Sequence, residues 1–314
     1  MFNAQNIVGS SRSFEHWHHA TCHNYSTTDY RRPSAGSFSG NITARSFGTL
    51  TVSMLSSIAT GGRIEVLRRA AEIRSDPRDQ FMLLLVYRGD VGFEQSGRSV
   101  RLGNGDMVVY DQARPFKIEL GGENDQIIVS IPRPLLVSRL PETERFAARL
   151  ISASSQLGML TGNMIRQLMS FEHELDDEIA GRIASSALDL LAATLLAEFS
   201  EDGGENGRYD QRLARVKRFV AERLDDCDMT IESIAAAQNL APRTLHRLFA
   251  AEGTTPIRWL WQQRLSASYK ALAEGRIRNV TDAALSSGFT DLSHFSRAFK
   301  KAYGHPPHAL VRRG

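Results

Sequence analysis

The chain has 314 residues, 42% apolar and 23% charged, a balance that suits two globular domains and excludes a largely disordered polypeptide. Its net charge of +3 hides an asymmetry, because residues 208–314 hold 18 Lys and Arg against 10 Asp and Glu, and the preceding residues hold 20 against 25. A basic C-terminal part behind an acidic N-terminal one implies that only the C-terminal part meets a polyanion.

Residues 1–6 lack the basic and apolar regions of a secretory leader. The apolar stretches at 81–87 and 183–199 read as too short or too polar to span a bilayer, so a cytoplasmic protein without membrane contact is expected. Two cysteines as distant as Cys22 and Cys227 are expected to be free thiols. His16, His19 and His23 have helical spacings that would permit a metal ion. Such a run more often forms a polar helix face around a buried Trp17, and no metal or cofactor is expected.

From Gly36 to Pro132 the pattern is one of short strands. Residues 49–54 alternate, 80–87 form a buried apolar run, and glycines punctuate the intervals. Residues 91–100 read as a hairpin turning at Ser96-Gly97, and Gly103-Asn104-Gly105-Asp106 as a turn before a strand at 107–110. An antiparallel sheet or small barrel follows from this spacing.

After Pro141 the period becomes helical. Met164, Leu168, Phe171 and Leu175 form one stripe, and Ile179, Ile183, Leu188, Leu191 and Leu195 form the next. Either stripe could cover the sheet, and the helix at 178–199 could instead join two copies in a homodimer. Residues 201–207 contain no apolar side chain and mark a linker. The expected division is an effector-binding and dimerisation domain at 1–200, a linker at 201–211 and a DNA-binding domain at 212–314.

Two similar helix-turn-helix patterns fill that last domain. In the first, Thr230 caps a supporting helix carrying Ile234 and Ala235, Asn239 takes the left-handed conformation at the turn, and Pro242 opens the second helix. Leu245, Leu248 and Phe249 then face the core, which leaves Arg243, His246 and Arg247 outward to reach base edges in a major groove. In the second, Ala283 and Ala284 support, Gly288 turns, and Phe289, Phe295 and Phe299 anchor. Its outward set is Ser293, His294 and Arg297. Ala284 to Phe295 is one residue longer than Ala235 to Leu245, so the second turn should be wider. Leu292 could contact a thymine methyl or pack locally. A continuous helix of about seventeen residues from Pro256 would span roughly 25 Å, short of the ~34 Å between successive grooves. Bent DNA or partial engagement of the second unit is therefore expected.

Residues 212–312 closely resemble the DNA-binding domain of the AraC/XylS family of transcription regulators. The resemblance is carried by residues 241–249, Gly253-Thr254-Thr255-Pro256, Arg264-Leu265, residues 288–299 and Gly304-His305-Pro306-Pro307. Ala241 stands where that family usually has Ser, and Ala283 where Ile is typical. The resemblance implies base reading by Arg243, His246, Arg247, Ser293, His294 and Arg297. Residues 12–140 resemble, less specifically, the cupin-like sensor domain of one branch of the family, through Gly89, Gln95, Gly97-Arg98, Gly105-Asp106, Asp111 and Arg114-Pro115. That implies an apolar cavity for a small effector, with no contact residue singled out.

The fold class expected is therefore α+β: an N-terminal cupin-like β-barrel with a helical extension and a C-terminal all-α domain with two helix-turn-helix motifs. The function expected is sequence-specific activation of transcription, with promoter DNA, a small-molecule effector and RNA polymerase as partners. Enzymatic readings fit poorly. No histidine lies between Arg45 and Pro141, so a metal-dependent cupin lacks its imidazole ligands. A DNA-alkyl-transfer protein needs more than two cysteines. No catalytic residue is expected. An architectural DNA protein would not need a large acidic domain.

Overall fold

Strand-forming segments before residue 133 and amphipathic helices after it segregate in space. The computed structural model describes residues 9–11, 13–31, 36–171, 175–199, 207–250 and 254–311. The chain makes two compact units, residues 1–133 with 142–199 and residues 134–141 with 200–314.

The first unit begins with β1 (Gly9–Ser11), α1 (Phe14–Asn24), β2 (Asp29–Arg31), β3 (Phe38–Phe47), β4 (Leu50–Ala59), β5 (Ile64–Arg68) and α2 (Ala70–Ser75). It continues through β6 (Gln80–Arg88), β7 (Val91–Gln95), β8 (Arg98–Leu102), β9 (Met107–Asp111), β10 (Phe116–Leu120) and β11 (Glu123–Pro132). The hairpin expected at residues 91–100 is β7–β8, turning at Ser96-Gly97, and the turn at 103–106 precedes β9 as expected. After α3 (Arg133–Val137) come α4 (Thr143–Phe146), β12 (Leu150–Ile151), α5 (Gln156–Ser170) and α6 (Asp177–Phe199).

The strands pair into a seven-stranded sheet, β1-β3-β4-β11-β6-β9-β12, and a five-stranded sheet, β2-β5-β10-β7-β8. Every described pairing is antiparallel. Neither sheet closes on itself, so where a barrel was expected the described strands make two open sheets that share a core. Met82, Leu84, Val108 and Ile128 of the larger sheet meet Val91, Phe93, Phe116 and Ile118 of the smaller, and Phe14 and Trp17 of α1 complete the same cluster. Gln95 ties the sheets together: its Nε2 donates to Asp111 O at 2.8 Å, and Asp111 N–H donates to Gln95 Oε1 at 2.9 Å. The Asp111 carboxylate is held in turn by Arg133 and Arg114. Two residues that carry the cupin resemblance thus act as a structural clamp.

The leucine stripe of α6 faces inward. Leu188, Leu191 and Leu195 are buried, α6 packs on α5 and β3, and Thr161 and Thr194 share a 2.7 Å hydroxyl contact. The stripe that suggested dimerisation is consumed by the core, and the exposed apolar residues of α6 are Ile179 and Leu196. Contrary to the sequence expectation, this 23-residue helix is long and apolar enough, by length and composition alone, to cross a membrane. Its buried face is accounted for by packing within the unit. The preceding stripe is also cut short, because α5 ends at Ser170 and Phe171 leaves the helix to meet Phe47.

The second unit is helical: α7 (Gly207–Ala221), α8 (Ile231–Ala237), α9 (Pro242–Ala250), α10 (Pro256–Ala273), α11 (Val280–Leu285), α12 (Leu292–Tyr303) and a 3-10 turn at Pro307–Leu310. The glycine pair of the linker, Gly203-Gly204, and Gly253 of the family pattern lie outside the described residues. Residues 207–211, placed in the linker from sequence, already belong to α7. Two cores flank α10. Leu213, Val216, Ile234, Leu245, Phe249 and Trp259 build one, and Leu265, Ala284, Phe289, Phe295 and Phe299 build the other. Within this unit Arg139 and Glu274, both almost fully buried, form an ion pair of 2.5 Å.

Candidate DNA interface and an interior cavity

The first helix pair forms for the local reasons visible in its sequence. Thr230 Oγ1 accepts from Ser233 N–H at 3.1 Å and Ser233 Oγ accepts from Thr230 N–H, a reciprocal cap that starts α8. Asn239 adopts φ 52°, and Leu240 N–H closes the turn on Ala235 O at 2.8 Å. A larger residue than Ala235, which is 1% exposed, would separate the helices. With Leu245, Leu248 and Phe249 buried, helical geometry leaves Arg243, His246 and Arg247 exposed on one side of α9.

The second pair repeats the closure: Phe289 N–H bonds to Ala284 O at 3.0 Å, and Gly288 is left-handed at φ 76°. Residues 286–291 join its helices where residues 238–241 join the first pair, so the wider second turn is present. Asp291 caps α12 by accepting from Ser293 N–H at 2.7 Å and His294 N–H at 3.1 Å. Those two amides hold its carboxyl below the usual carboxylate range. Ser293, His294 and Arg297 are exposed on one face of α12. The His294 ring rests edge-on against Trp261 at 5.2 Å, and Arg297 Nε donates back to Ser293 O. Leu292 is 40% exposed.

Arg264 had been noted only as part of a pattern. It is 2% exposed; its Nε donates to Leu224 O and its Nη2 to Asp226 O, and its guanidinium stacks over Trp261. A methyl group on Gly288 would lie 2.3 Å from Leu224 O and 2.8 Å from Arg264 Nε. The second turn is therefore seated on this arginine strut, and α10 joins two halves that are also cross-braced. Sequence reasoning also passed over Arg212 and Arg215 of α7, which line an open groove with Asn239, Ala241 and Thr244 at the start of α9. The signal was available as two arginines three residues apart on an otherwise amphipathic helix.

In the first unit a cavity of about 70 Å³ lies between the sheets under α1. Trp17, Tyr25, Tyr110 and Phe116 form its aromatic walls, and Gln112 and Gln126 are among its polar groups. Burial pushes the Tyr25 and Tyr110 phenols well above their ordinary pKa. These residues come from different elements, and only the inward alternation along β11 and β4 hinted at them. In α1 the buried Trp17 is flanked by exposed His16, His19 and His23. The engaged ring is that of His18, whose Nε2 lies 3.4 Å from Cys22 Sγ and 3.2 Å from Thr28 Oγ1. Cys22 and Cys227 are free thiols.

A sheet-rich unit with an internal cavity, followed by a helical unit presenting exposed arginines beside short turns, is the make-up of a regulated DNA-binding protein. The AraC-binding-like domain matches residues 17–196, and a helix-turn-helix domain matches residues 234–313. Transcriptional activator NphR of Rhodococcus sp is 35% identical over 84% of this chain and 78% of its own. The XylDLEGF operon transcriptional activator 1 of Pseudomonas putida is 24% identical over 91% and 88%. The AraC-like transcriptional activator CuxR shares the fold, with a TM-score of 0.55 and 20% identity over 84% of this chain and 96% of its own. The chain belongs to the AraC family of transcriptional regulators. It is a DNA-binding transcriptional activator of that family and not an enzyme.

Proposed function

We infer that the chain activates transcription in the cytoplasm by binding promoter DNA through two helix-turn-helix units, under control of a small effector held in a cupin-like first domain. The domains are those expected from sequence, 1–200 and 212–314 about a linker at 201–211. Arg243, His246 and Arg247 of α9 and Ser293, His294 and Arg297 of α12 are the proposed base readers, with Arg212 and Arg215 on phosphate. The observation that carries this assignment is the repeated closure, Ala235 to Leu240 and Ala284 to Phe289, which leaves an exposed polar face on each of two helices flanking α10. By linkage, the effector must bind the DNA-competent state more tightly than the other state. RNA polymerase is the proposed downstream partner. A homodimer remains part of the proposal, through the residues α6 leaves exposed, Ile179 and Leu196, rather than through its buried leucines.

The 18 residues of α10 span about 27 Å at ~1.5 Å per residue, still less than the ~34 Å groove repeat, so the DNA bends or α12 engages partially. Footprinting tests the assignment: a discrete protected site is expected, and diffuse, strongly salt-dependent coverage would overturn it. At that site Arg247→Ala should weaken binding by about 1–3 kcal/mol with relaxed base preference. Arg297→Ala should do less, because its Nε is already bonded to Ser293 O. Equal losses would mean that both helices read bases fully.

A further inference from the structure

We propose that the cavity of the first unit selects an uncharged, ring-sized organic molecule bearing a hydroxyl group, and discriminates against carboxylates and amines of the same size. This deepens, and rests on, the sensor role proposed above. Fifteen residues line the cavity and none of them is charged. A carboxylate or ammonium entering it would lose its water shell without gaining a counter-ion, the costliest kind of burial. The nearby buried cation, Arg68, does not line the cavity. Its Nε, Nη1 and Nη2 donate to Gln112 O, Thr27 O and Asp76 O at 3.0, 2.7 and 2.7 Å. The His18 ring, beyond Thr28, is engaged by Cys22 and Thr28. Both phenols on the wall are held in their neutral form by burial.

The polar groups that remain specify a hydroxyl. Among the described residues, Trp17 Nε1, Tyr25 Oη and Gln112 Oε1 are buried without a hydrogen-bond partner. Gly40 lets the Trp17 indole lie against β3, since a Cβ there would be 2.4 Å from the ring. An indole N–H requires an acceptor and an amide oxygen requires a donor, and a single hydroxyl supplies both. About 70 Å³ is room for roughly five waters, on the order of one six-membered ring. Aromatic walls suit a flat occupant.

The test uses the full-length protein and four probes of matched size: p-cresol, benzoate, benzylamine and toluene. Calorimetric titration and thermal shift should show saturable binding of p-cresol, with benzoate and benzylamine at least tenfold weaker. Gln112→Leu should weaken p-cresol about tenfold and leave toluene unchanged, a contrast that loss of folding would not produce. Benzoate or benzylamine binding as tightly as p-cresol would overturn the charge selection while leaving the sensor role standing. Equal loss of p-cresol and toluene in Gln112→Leu would overturn the hydroxyl assignment. No saturable binding by any probe to a protein that still footprints its DNA would overturn both the selection and the use of this cavity as a sensor.

Discussion

The two helix pairs of the second unit are closed by the same backbone bond yet stiffened by different means. The first turn relies on Asn239, a residue that tolerates φ 52° at some cost, and its recognition helix begins at Ala241, which offers no capping side chain. The second relies on Gly288, seated against Leu224 O and Arg264, and its helix is doubly capped by Asp291. Their cores differ as well: aliphatic side chains and Trp259 around the first, and a run of rings from Trp261 through Phe289, Phe295 and Phe299 to Tyr303 around the second. The more rigid pair also has its polar face partly occupied, with His294 on Trp261 and Arg297 on Ser293 O. Preorganisation and availability have been divided between the two units, so α9 is free to adapt to bases while α12 is held as a fixed support.

That contrast can be broken most severely at Gly288. Gly288→Ala combines left-handed strain with a contact no relaxation of Leu224 O can easily relieve, and should cost about 3 kcal/mol, read as a lowered Tm and urea midpoint. Asn239→Gly at the equivalent position should be neutral or slightly stabilising; a comparable loss at both turns would remove the asymmetry. A smaller effect sharpens it from the other side. Ala241→Ser supplies the missing acceptor for Thr244 N–H and should stabilise by about 1 kcal/mol, and no gain would show that the start of α9 is already satisfied.

The smallest expected effect is on pH. The native Asp291 carboxyl is depressed by two backbone amides, so its contribution is present above the ordinary Asp value near 4 and is lost as pH falls through the native value. Asp291→Asn keeps an acceptor for the amides but does not titrate. It should flatten the acid limb of a stability profile slightly, and an unchanged limb would remove Asp291 from the capping role.

Much of the candidate interface was legible because its causes are local. Thr230, Asn239, Pro242, Ser96-Gly97 and the spacing of Leu245, Leu248 and Phe249 each act through neighbours within about four residues, and each was placed correctly. The stripe of Leu188, Leu191 and Leu195 shows where such reading stops. Periodicity reveals that a helix has an apolar face, but not whether that face meets its own core or a second copy. Arg264 is a sharper case, since an arginine between two DNA-reading helices looks like a phosphate contact until its partners, forty residues away in sequence, are seen.

Taken alone, the sequence determined the family, the two closed turns, the outward side chains of α9 and α12 and the antiparallel character of the first unit. All of these follow from short-range backbone chemistry and side-chain period. Tertiary structure decided that the strands form two facing sheets, that α6 is spent on the core, that Arg264 braces the second turn, and that Trp17, Tyr25 and Gln112 share one uncharged cavity. Those outcomes depend on which distant segments exclude water from one another, a choice that local pattern does not encode.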